Sequence, residues 1–218
     1  MRLLITAGPT HEPIDAVRYL ANRSSGRTGI GLAIAARDAG HHVRLLLGPT
    51  HLTPPDGVAV DRYASTHDLS RLLDTHFSSC DALVMAAAVA DYTPIVETPS
   101  AEKPKLERGR EEITLRLRPT PDLVAGLAAR RRPDQRVIAF ALEPAATMIE
   151  RATAKRARKG VDAIVANPLD TPDAAAIDAA WITPTSAPQR TGPMPKGEFA
   201  SWLLRRIEAL IAAEPDGN

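Results

Sequence analysis

The sequence has 218 residues, and its 27 lysines and arginines almost balance 26 aspartates and glutamates, so the formal net charge is +1. This balance excludes a chain-wide basic field for nucleic acid or for an anionic membrane, so phosphate chemistry requires a local basic cluster. The single cysteine, Cys80, excludes an internal disulfide and a thiolate metal cluster, and its position beside an apolar run is typical of a packed core residue. The N-terminal stretch indicates a strand rather than a signal peptide or anchor, which favours a cytoplasmic protein without a membrane partner.

Short apolar runs alternate with helix-like patterns along the chain. The apolar runs predict buried strands at 2–7, 42–48, 82–88, 137–142 and 162–167. Apolar residues at helical spacing predict helices at 29–40, 66–77, 120–131, 147–160 and 197–213, the second of them capped by Thr66. Weaker patterns predict a half-exposed strand at 113–118, a short antiparallel strand at 178–183 and a frayed tail at 214–218.

This alternation predicts one α/β domain over residues 1–218, a Rossmann-like, mostly parallel sheet with helices on both faces. In such sheets ligands bind beyond the carboxyl ends of the strands, so the loops at those ends are the candidates for a site. One long irregular segment, residues 93–112, is rich in proline, lysine and glutamate. It fits either a solvated loop or a flap over the site.

The loop after the first strand contains VRYLANRSSGRTG, residues 17–29, which leads into a helix of small residues. Ser24, Ser25 and Gly26 would bring hydroxyls and free backbone N–H groups to the helix start, which suits a phosphate. The same glycines would also suit close packing of the helix on the sheet. Asn22 offers a donor and an acceptor to a carboxyl-derived group, and Arg18 fits either an anion anchor or a surface ion pair.

Further polar residues follow later strands. Residues 86–92, AAAVADY, combine small residues with Asp91, which fits either a magnesium ligand or a turn residue. Lys155 and Lys159 share one helix face, either as phosphate-binding lysines or as a solvated face. Phe140 fits either the core or the wall of a nucleobase pocket. The six histidines lack metal-ligand spacing, and no residues resemble a hydrolase triad.

Together these motifs resemble the phosphopantothenoylcysteine synthetase family, the ligase half of the bacterial coenzyme A biosynthesis flavoprotein. The resemblance rests on ITAGPTHEPIDAVRYLANRSSGRTG, AAAVADY, EKPK, PTPDLVAG, AFALE, KRARKG and VANPL, in family order over about residues 1–167. It implies a ligase that activates the carboxylate of 4′-phosphopantothenate as an acyl-nucleotide and transfers the acyl group to the amine of L-cysteine. The family usually uses CTP, with ATP as the alternative, together with Mg²⁺.

The resemblance also implies roles for individual residues. The matches to catalytic positions around the acyl-nucleotide are Asn22, Arg18 and Lys103. The matches to the phosphopantothenate site are Gly8, Asn22, Ser24, Ser25 and Gly26. The matches to the nucleotide site are Ala87, Ala88, Asp91, Lys103, Pro121, Asp122, Leu123, Val124, Phe140, Lys155 and Lys159, with Asp91 also implied as the Mg²⁺ ligand.

Three departures from the family pattern bear on these expectations. Leu106 replaces the usual last lysine of the flap, and AFALEP replaces the commoner GFAAET, so the flap is less basic and the base pocket can differ. Because the first strand begins at Met1, no flavin-binding half is expected, hence no FMN and a separate decarboxylase that acts on the product. Residues 93–119 are implied to form the flap and the pairing strands of a homodimer.

Two other functions are compatible with the same fold. A nicotinamide or flavin oxidoreductase would need a compact glycine loop and an acid after the second strand, where this sequence reads LLLGPT. A non-catalytic nucleotide sensor would not need Asn22, Asp91, Lys103, Lys155 and Lys159 together.

Overall fold

The computed structural model describes residues 1–95, 105–106, 112–169 and 176–213. Its strands are β1 (Arg2–Ala7), β2 (His11–Pro13), β3 (Tyr19–Ala21), β4 (His42–Leu47), β5 (Ala59–Arg62), β6 (Ala82–Met85), β7 (Tyr92–Pro94), β8 (Leu117–Pro119), β9 (Arg136–Glu143), β10 (Ala163–Pro168), β11 (Ala176–Ile177), β12 (Ala180–Ile182), β13 (Gln189–Arg190) and β14 (Met194–Pro195). Its α-helices are α1 (Arg27–Asp38), α2 (Thr66–His76), α3 (Leu123–Ala129), α4 (Met148–Lys159) and α5 (Lys196–Ala212). Among the helices of these described ranges, none has the length and apolar content that crossing a bilayer requires.

Eight strands form one central sheet in the order β13-β12-β10-β9-β6-β1-β4-β5. Strands β1, β4, β5, β6, β9 and β10 are parallel, while β12 and β13 pair antiparallel at one edge. This confirms the predicted mostly parallel sheet and the short antiparallel strand. The chain winds outward from β1 through β4 and β5 and then restarts at β6. Strands β1 and β6 therefore flank the switch point at which open α/β sheets bind ligands.

The sheet separates two buried apolar clusters, because side chains on each strand alternate between its faces. Leu3 and Ile5 of β1 belong to the cluster covered by α1 and α5, which includes Phe199. Leu4 belongs to the opposite cluster, covered by α2, α3 and α4. Cys80 is buried in that second cluster, as predicted. Helices therefore cover both faces of the sheet, which leaves its carboxyl edge to the loops.

The predicted cap of α2 is wrong by one residue. The cap is Ser65, because its hydroxyl accepts from Asp68 N at 3.2 Å while the Asp68 carboxylate accepts from Ser65 N at 3.0 Å. Thr66 is already helical, and its hydroxyl donates to the buried Glu12 instead. The helix is thus capped by Ser65 together with Asp68 of its first turn. Thr66 also links the helix to the loop after β1.

Two strand predictions also need correction, and one hairpin was not predicted. The strand predicted at 82–88 ends at Met85, where the backbone leaves the sheet toward the loop that follows. Of the strand predicted at 113–118, only the end is strand, as β8, which pairs with β7. A hairpin of β2 and β3, which no periodicity predicts, lies within the loop after β1.

Gly29 lets the first turn of α1 approach β1 closely. A Cβ at Gly29 would lie 2.6 Å from Ala7 Cβ and 2.8 Å from Thr6 O. We expect Gly29→Ala to lower the free energy of unfolding by about 1–3 kcal/mol, as overpacking does. Gly31→Ala is the matched control, since its Cβ would meet Ala200 Cβ at 3.7 Å. The control should gain about 0.5–1 kcal/mol of helix stability. Urea unfolding measures both variants, and equal effects would contradict the close approach at Gly29.

Candidate functional site

The loops that follow β1 and β6 are joined by hydrogen bonds beyond the end of the sheet. Ala88 N donates to Gly8 O at 2.9 Å, and Thr10 N donates to Ala88 O at 3.2 Å. Ala87 N donates to Thr6 Oγ1 at 3.0 Å. The stretch AAAVADY therefore lies directly against the end of β1, with Ala87 and Ala88 half-buried at the switch point.

Asn22 contacts this loop. Its Nδ2 donates to Val89 O at 2.9 Å, although the two residues are 67 positions apart in the chain. This bond fixes the orientation of the amide, so Oδ1 and the second N–H can serve a ligand. Asn22 and AAAVADY, two separate motifs in the sequence, thus form one surface.

The start of α1 packs on the same strand end. Gly26 has a φ of 77°, and a Cβ there would lie 3.1 Å from Gly8 N, so the helix begins close to the end of β1. The first turn of this helix contains no acid, and its Arg27 N donates a long hydrogen bond to Ser25 Oγ at 3.4 Å. Its N–H groups and the positive end of its dipole therefore suit an anion beside half-buried Ser24 and exposed Ser25.

Arg18 is held in an ion pair. Its guanidinium contacts the carboxylate of Asp15, which is buried, and its Nη2 also donates to Leu106 O at 2.6 Å. Asp15 Oδ2 accepts from Leu106 N at 3.0 Å, so the pair binds both polar groups of the Leu106 backbone. The contact of Arg18 with an acyl-nucleotide stays a prediction, and Lys103 lies outside the described residues.

The ionisation of Asp15 is expected to stabilise the fold. Burial opposes it, but hydrogen bonds from Val17 N, Arg18 and Leu106 N outweigh burial and hold the pKa of Asp15 well below its usual range. Because folding lowers this pKa, the carboxylate stabilises the folded state above pH ~4, and the effect is lost as the pH falls further. We expect Asp15→Asn to destabilise the protein at pH ~7 by an amount that shrinks below pH ~4.

Denaturant unfolding at a series of pH values measures this difference. Asp134→Asn, which removes an exposed carboxylate at the other end of the sheet, is the control. A destabilisation by Asp15→Asn that does not change with pH would contradict the ionised, hydrogen-bonded Asp15.

Asp91 is exposed at the end of the AAAVADY loop. Its backbone O accepts from Thr120 N at 2.9 Å, which ties the loop to the segment before α3. In the part of the chain that the structure describes, no three histidine, cysteine, aspartate or glutamate side chains are grouped to enclose a metal ion. One exposed carboxylate still fits Mg²⁺, which commonly takes one or two carboxylates and completes its shell with phosphate oxygens and water.

Lys159 and Asp122 join two of the predicted nucleotide segments. Lys159 Nζ lies 2.5 Å from Asp122 Oδ2, while Asp122 Oδ1 caps α3 by accepting from Ala125 N at 3.1 Å. Burial opposes the ionisation of Asp122, but the hydrogen bonds from Lys159 and Ala125 N and the nearby positive charges together outweigh it and lower the pKa of this carboxyl. The lysine ammonium is thus held at the start of α3.

The other residues at the start of α3 differ in exposure. Pro121 is exposed and Leu123 is half-buried, and both line a cavity of about 280 Å³ between α2 and α3. The Val124 side chain is buried in the core, so only its backbone can serve a ligand. Two larger cavities, of about 470 and 440 Å³, lie at the amino ends of the strands, so cavity size alone does not identify the site.

Lys155 reaches the end of β9. Its Nζ lies 3.7 Å from one carboxylate oxygen of the buried Glu143, and Arg151 Nε lies 2.9 Å from the other. Phe140, on the same strand, is half-buried and packs on the cluster covered by α1 and α5. Lys155 and Phe140 therefore both lie near the carboxyl end of β9, two strands from β1.

Two polar residues at this edge were not predicted as part of the site. Glu143 contacts Lys155. In the sequence, the one feature that could have indicated it is an acidic residue directly after a predicted buried strand. Asn167, at the end of β10, has a buried Oδ1 that accepts no hydrogen bond from the described residues. Such unpaired buried acceptors are uncommon, so Asn167 is a candidate to receive a donor from a ligand. In the sequence, Asn167 belongs to the VANPL motif, from which no site residue was predicted.

The fold and these loops define a doubly wound α/β protein whose candidate site lies at the carboxyl edge of the sheet, around β1 and β6. Residues 1–211 match the family described as the DNA/pantothenate metabolism flavoprotein C-terminal domain, and the chain belongs to this family.

Individual relatives are consistent with this family. The Coenzyme A biosynthesis bifunctional protein CoaBC of Mycobacterium tuberculosis H37Rv is 37% identical over 96% of this chain and 52% of that protein. A "Cysteine/Cysteine sulfinic acid decarboxylase" from an unknown prokaryotic organism is 38% identical over 96% of this chain and 58% of that protein. The chain thus spans about half the length of the curated relatives that it matches.

Two solved structures share the fold closely. The C-terminal domain of a CoaBC protein superposes with a TM-score of 0.79 at 31% identity, covering 96% of this chain and 95% of that one. The DNA/pantothenate metabolism flavoprotein from Streptococcus pneumoniae gives 0.83 at 25% identity, covering 96% and 99%.

Proposed function

We propose that this chain joins 4′-phosphopantothenate to L-cysteine in coenzyme A biosynthesis, with CTP as the activating nucleotide. The observation that carries the proposal is the hydrogen bond from Asn22 to Val89 O, in a chain of this family. It unites the loop expected to bind the acyl substrate with the loop expected to bind the nucleotide. An oxidoreductase is less well supported, because no acidic residue follows β4, where a dinucleotide ribose would require one.

In the proposed reaction, a carboxylate oxygen of 4′-phosphopantothenate attacks the α-phosphorus of CTP, and pyrophosphate leaves. The amine of L-cysteine then attacks the acyl carbonyl, cytidine monophosphate leaves, and the amine proton passes to solvent. Negative charge builds on phosphoryl oxygens in the first step and on the acyl oxygen in the second. The reaction therefore requires cations and N–H donors fixed where that charge develops, and it requires no protein nucleophile.

The candidate residues supply these groups. The free N–H groups of α1, with Ser24 and Ser25, suit the phosphate of the acyl substrate, and Asn22 suits its carboxylate. Lys155 and Lys159 suit the triphosphate, and Lys103 is assigned to the same charge from its sequence match. Mg²⁺, when bound with the nucleotide, would neutralise phosphate charge, and Asp91 is the carboxylate that fits it.

The two lysines are paired with carboxylates in the described structure. Lys155 contacts Glu143 and Lys159 contacts Asp122. These pairs hold the Lys155 ammonium at the end of β9 and the Lys159 ammonium at the start of α3. A bound triphosphate would compete with these two carboxylates for the lysine ammonium groups. Holding the carboxylate of the acyl substrate in line with the α-phosphorus can lower the activation barrier by about 7–11 kcal/mol.

The test is release of pyrophosphate from CTP, Mg²⁺, 4′-phosphopantothenate and L-cysteine, with each component omitted in turn. We expect release only when the nucleotide and 4′-phosphopantothenate are both present, and amide product only when cysteine is added. No release with CTP, ATP, GTP or UTP would favour a nucleotide sensor. Release of CO₂ from cysteine would favour the activity named for the decarboxylase relative.

We also propose that the chain forms a homodimer through an exposed apolar surface beside the site. Exposed apolar side chains cluster on the β2–β3 hairpin, on β7 and β8 and on the residues next to them: Val17, Tyr19, Leu20, Tyr92, Ile95, Ile113, Leu115 and Leu117. Surfaces of this kind commonly mark protein interfaces. Sedimentation equilibrium should give twice the 23.4 kDa chain mass, and Tyr19→Lys should shift it toward the monomer. A monomer at all concentrations would contradict this proposal.

A further inference from the structure

One buried hydroxyl holds the AAAVADY loop in place. Thr10 is fully buried, and its Oγ1 accepts from Ala90 N at 2.9 Å. Ala90 lies between Val89, whose carbonyl binds Asn22, and Asp91. The Thr10 hydroxyl therefore fixes the backbone at the point between the two candidate groups that would contact the acyl substrate and the nucleotide.

Two further residues are linked to that hydroxyl. Thr66 Oγ1 lies 2.7 Å from Glu12 Oε1, which also accepts from Thr66 N at 2.8 Å. The Thr66 hydroxyl also lies 3.3 Å from Thr10 Oγ1, which accepts from it. The nearer acceptor is Glu12, so the contact of Thr66 with Thr10 is the weaker of the two.

This chain of hydrogen bonds runs from a helix terminus to the candidate site. Glu12 is 4% exposed and Thr66 is 3% exposed, so water does not compete for these contacts. Thr10 Oγ1 and Glu12 Oε1 each have two partners, and such buried networks favour a single arrangement. The loop between β6 and β7 is thereby held at Ala90, in addition to its backbone pairing with the end of β1.

We propose that Thr10, through the hydrogen bond that its Oγ1 accepts from Ala90 N, is a positioning residue for the ligation reaction. It acts through the backbone of residues 88–91, which must lie correctly for Asn22 and Asp91 to act together. The inference rests on the proposed function for its catalytic consequence, but the structural role of Thr10 can be tested without any substrate.

The variant that tests this is Thr10→Val, which keeps the shape of the side chain and removes the hydroxyl. We expect kcat for pyrophosphate release to fall by about tenfold or more, because small misplacements of reacting groups are costly. The KM for cysteine should change less than about twofold, since cysteine enters after activation. Thr10→Ser, which keeps the hydroxyl, should restore most of the activity.

A substrate-free measurement separates positioning from the reaction itself. In Thr10→Val, hydrogen exchange at the amides of 88–91 should quicken by about tenfold or more, because Ala90 N loses its acceptor. Thr75→Val is the matched control, since it removes an exposed threonine hydroxyl that bonds Arg71 O at 2.9 Å on α2. It should leave both exchange at 88–91 and kcat unchanged.

The possible outcomes are distinct. A folded Thr10→Val with wild-type kcat, or with unchanged exchange at 88–91, overturns the inference. If Thr10→Val does not fold, Thr10→Ala, which also lacks the hydroxyl, replaces it and should show the same pattern; wild-type behaviour of that variant overturns the inference as well. If the wild type itself releases no pyrophosphate, the proposed function fails and takes the catalytic consequence with it, while the exchange result still decides whether Thr10 holds the loop.

Discussion

Replacing Asn22 by aspartate is expected to reduce turnover by about 100-fold or more, the usual effect of removing a fixed donor to a developing charge. The Asn22 amide donates to Val89 O at 2.9 Å, and a carboxylate cannot donate this bond. The new charge would also face the carboxylate of 4′-phosphopantothenate. Both effects act on the activation step, so pyrophosphate release should fall as strongly as formation of the amide.

Steady-state kinetics with all four components measures this loss, and thermal unfolding checks that the variant is folded. Asn22 is exposed, so we expect little change in stability. Ser79→Ala, an exposed change at the amino ends of the strands, is the control and should keep full activity. Normal turnover by Asn22→Asp would remove Asn22 from the site.

Replacing Lys159 by alanine is expected to weaken binding of the triphosphate by about tenfold, or about 1.4 kcal/mol. The Lys159 side chain is only 15% exposed, and its ammonium lies at the start of α3, where the nucleotide segment begins. Its loss removes one positive charge and also leaves Asp122 unpaired, with a negative charge facing the phosphates. The KM for cysteine should not change, because cysteine does not contact the triphosphate.

Calorimetric titration with CTP and Mg²⁺ measures the affinity directly. Arg158→Ala is the matched control, because it removes the same charge from the neighbouring, exposed position of α4. If Lys159→Ala and Arg158→Ala bind the nucleotide equally well, the lysine belongs to a solvated helix face and not to the site.

The architecture could be predicted because each buried strand is a short apolar run and each covering helix has a clear apolar spacing. The runs at Leu3–Ala7 and Val137–Ala139 are buried on both faces of the sheet, which is typical of parallel strands. The β2–β3 hairpin was missed because its strands have three residues each and carry Glu12 and Pro13. Such short strands are stabilised by their surroundings, and no local period indicates them.

The sequence predicted individual residues of the candidate site, but it did not predict which of them contact one another. Asn22, Asp91 and the lysines follow from their motifs, but the partner of each depends on the three-dimensional fold. Lys159 meets Asp122 across 37 residues, and Asn22 meets Val89 across 67. Arg18 could be interpreted as an anion anchor or as an ion pair, and only the fold brings Asp15 and Leu106 to it. The role of Lys103 remains a sequence prediction.

If one site at the carboxyl edge of the sheet activates an acyl substrate with a nucleotide, the activated acyl group should be detectable before cysteine is added. Mass spectrometry of a single-turnover mixture without cysteine measures it. With protein, CTP, Mg²⁺ and 4′-phosphopantothenate, we expect a 4′-phosphopantothenoyl-cytidylate ion and an equal amount of pyrophosphate. When cysteine is added, the cytidylate should be consumed, and the amide and cytidine monophosphate should appear in equal amounts. Intact CTP and unmodified 4′-phosphopantothenate, with ATP, GTP and UTP giving the same result, would contradict it.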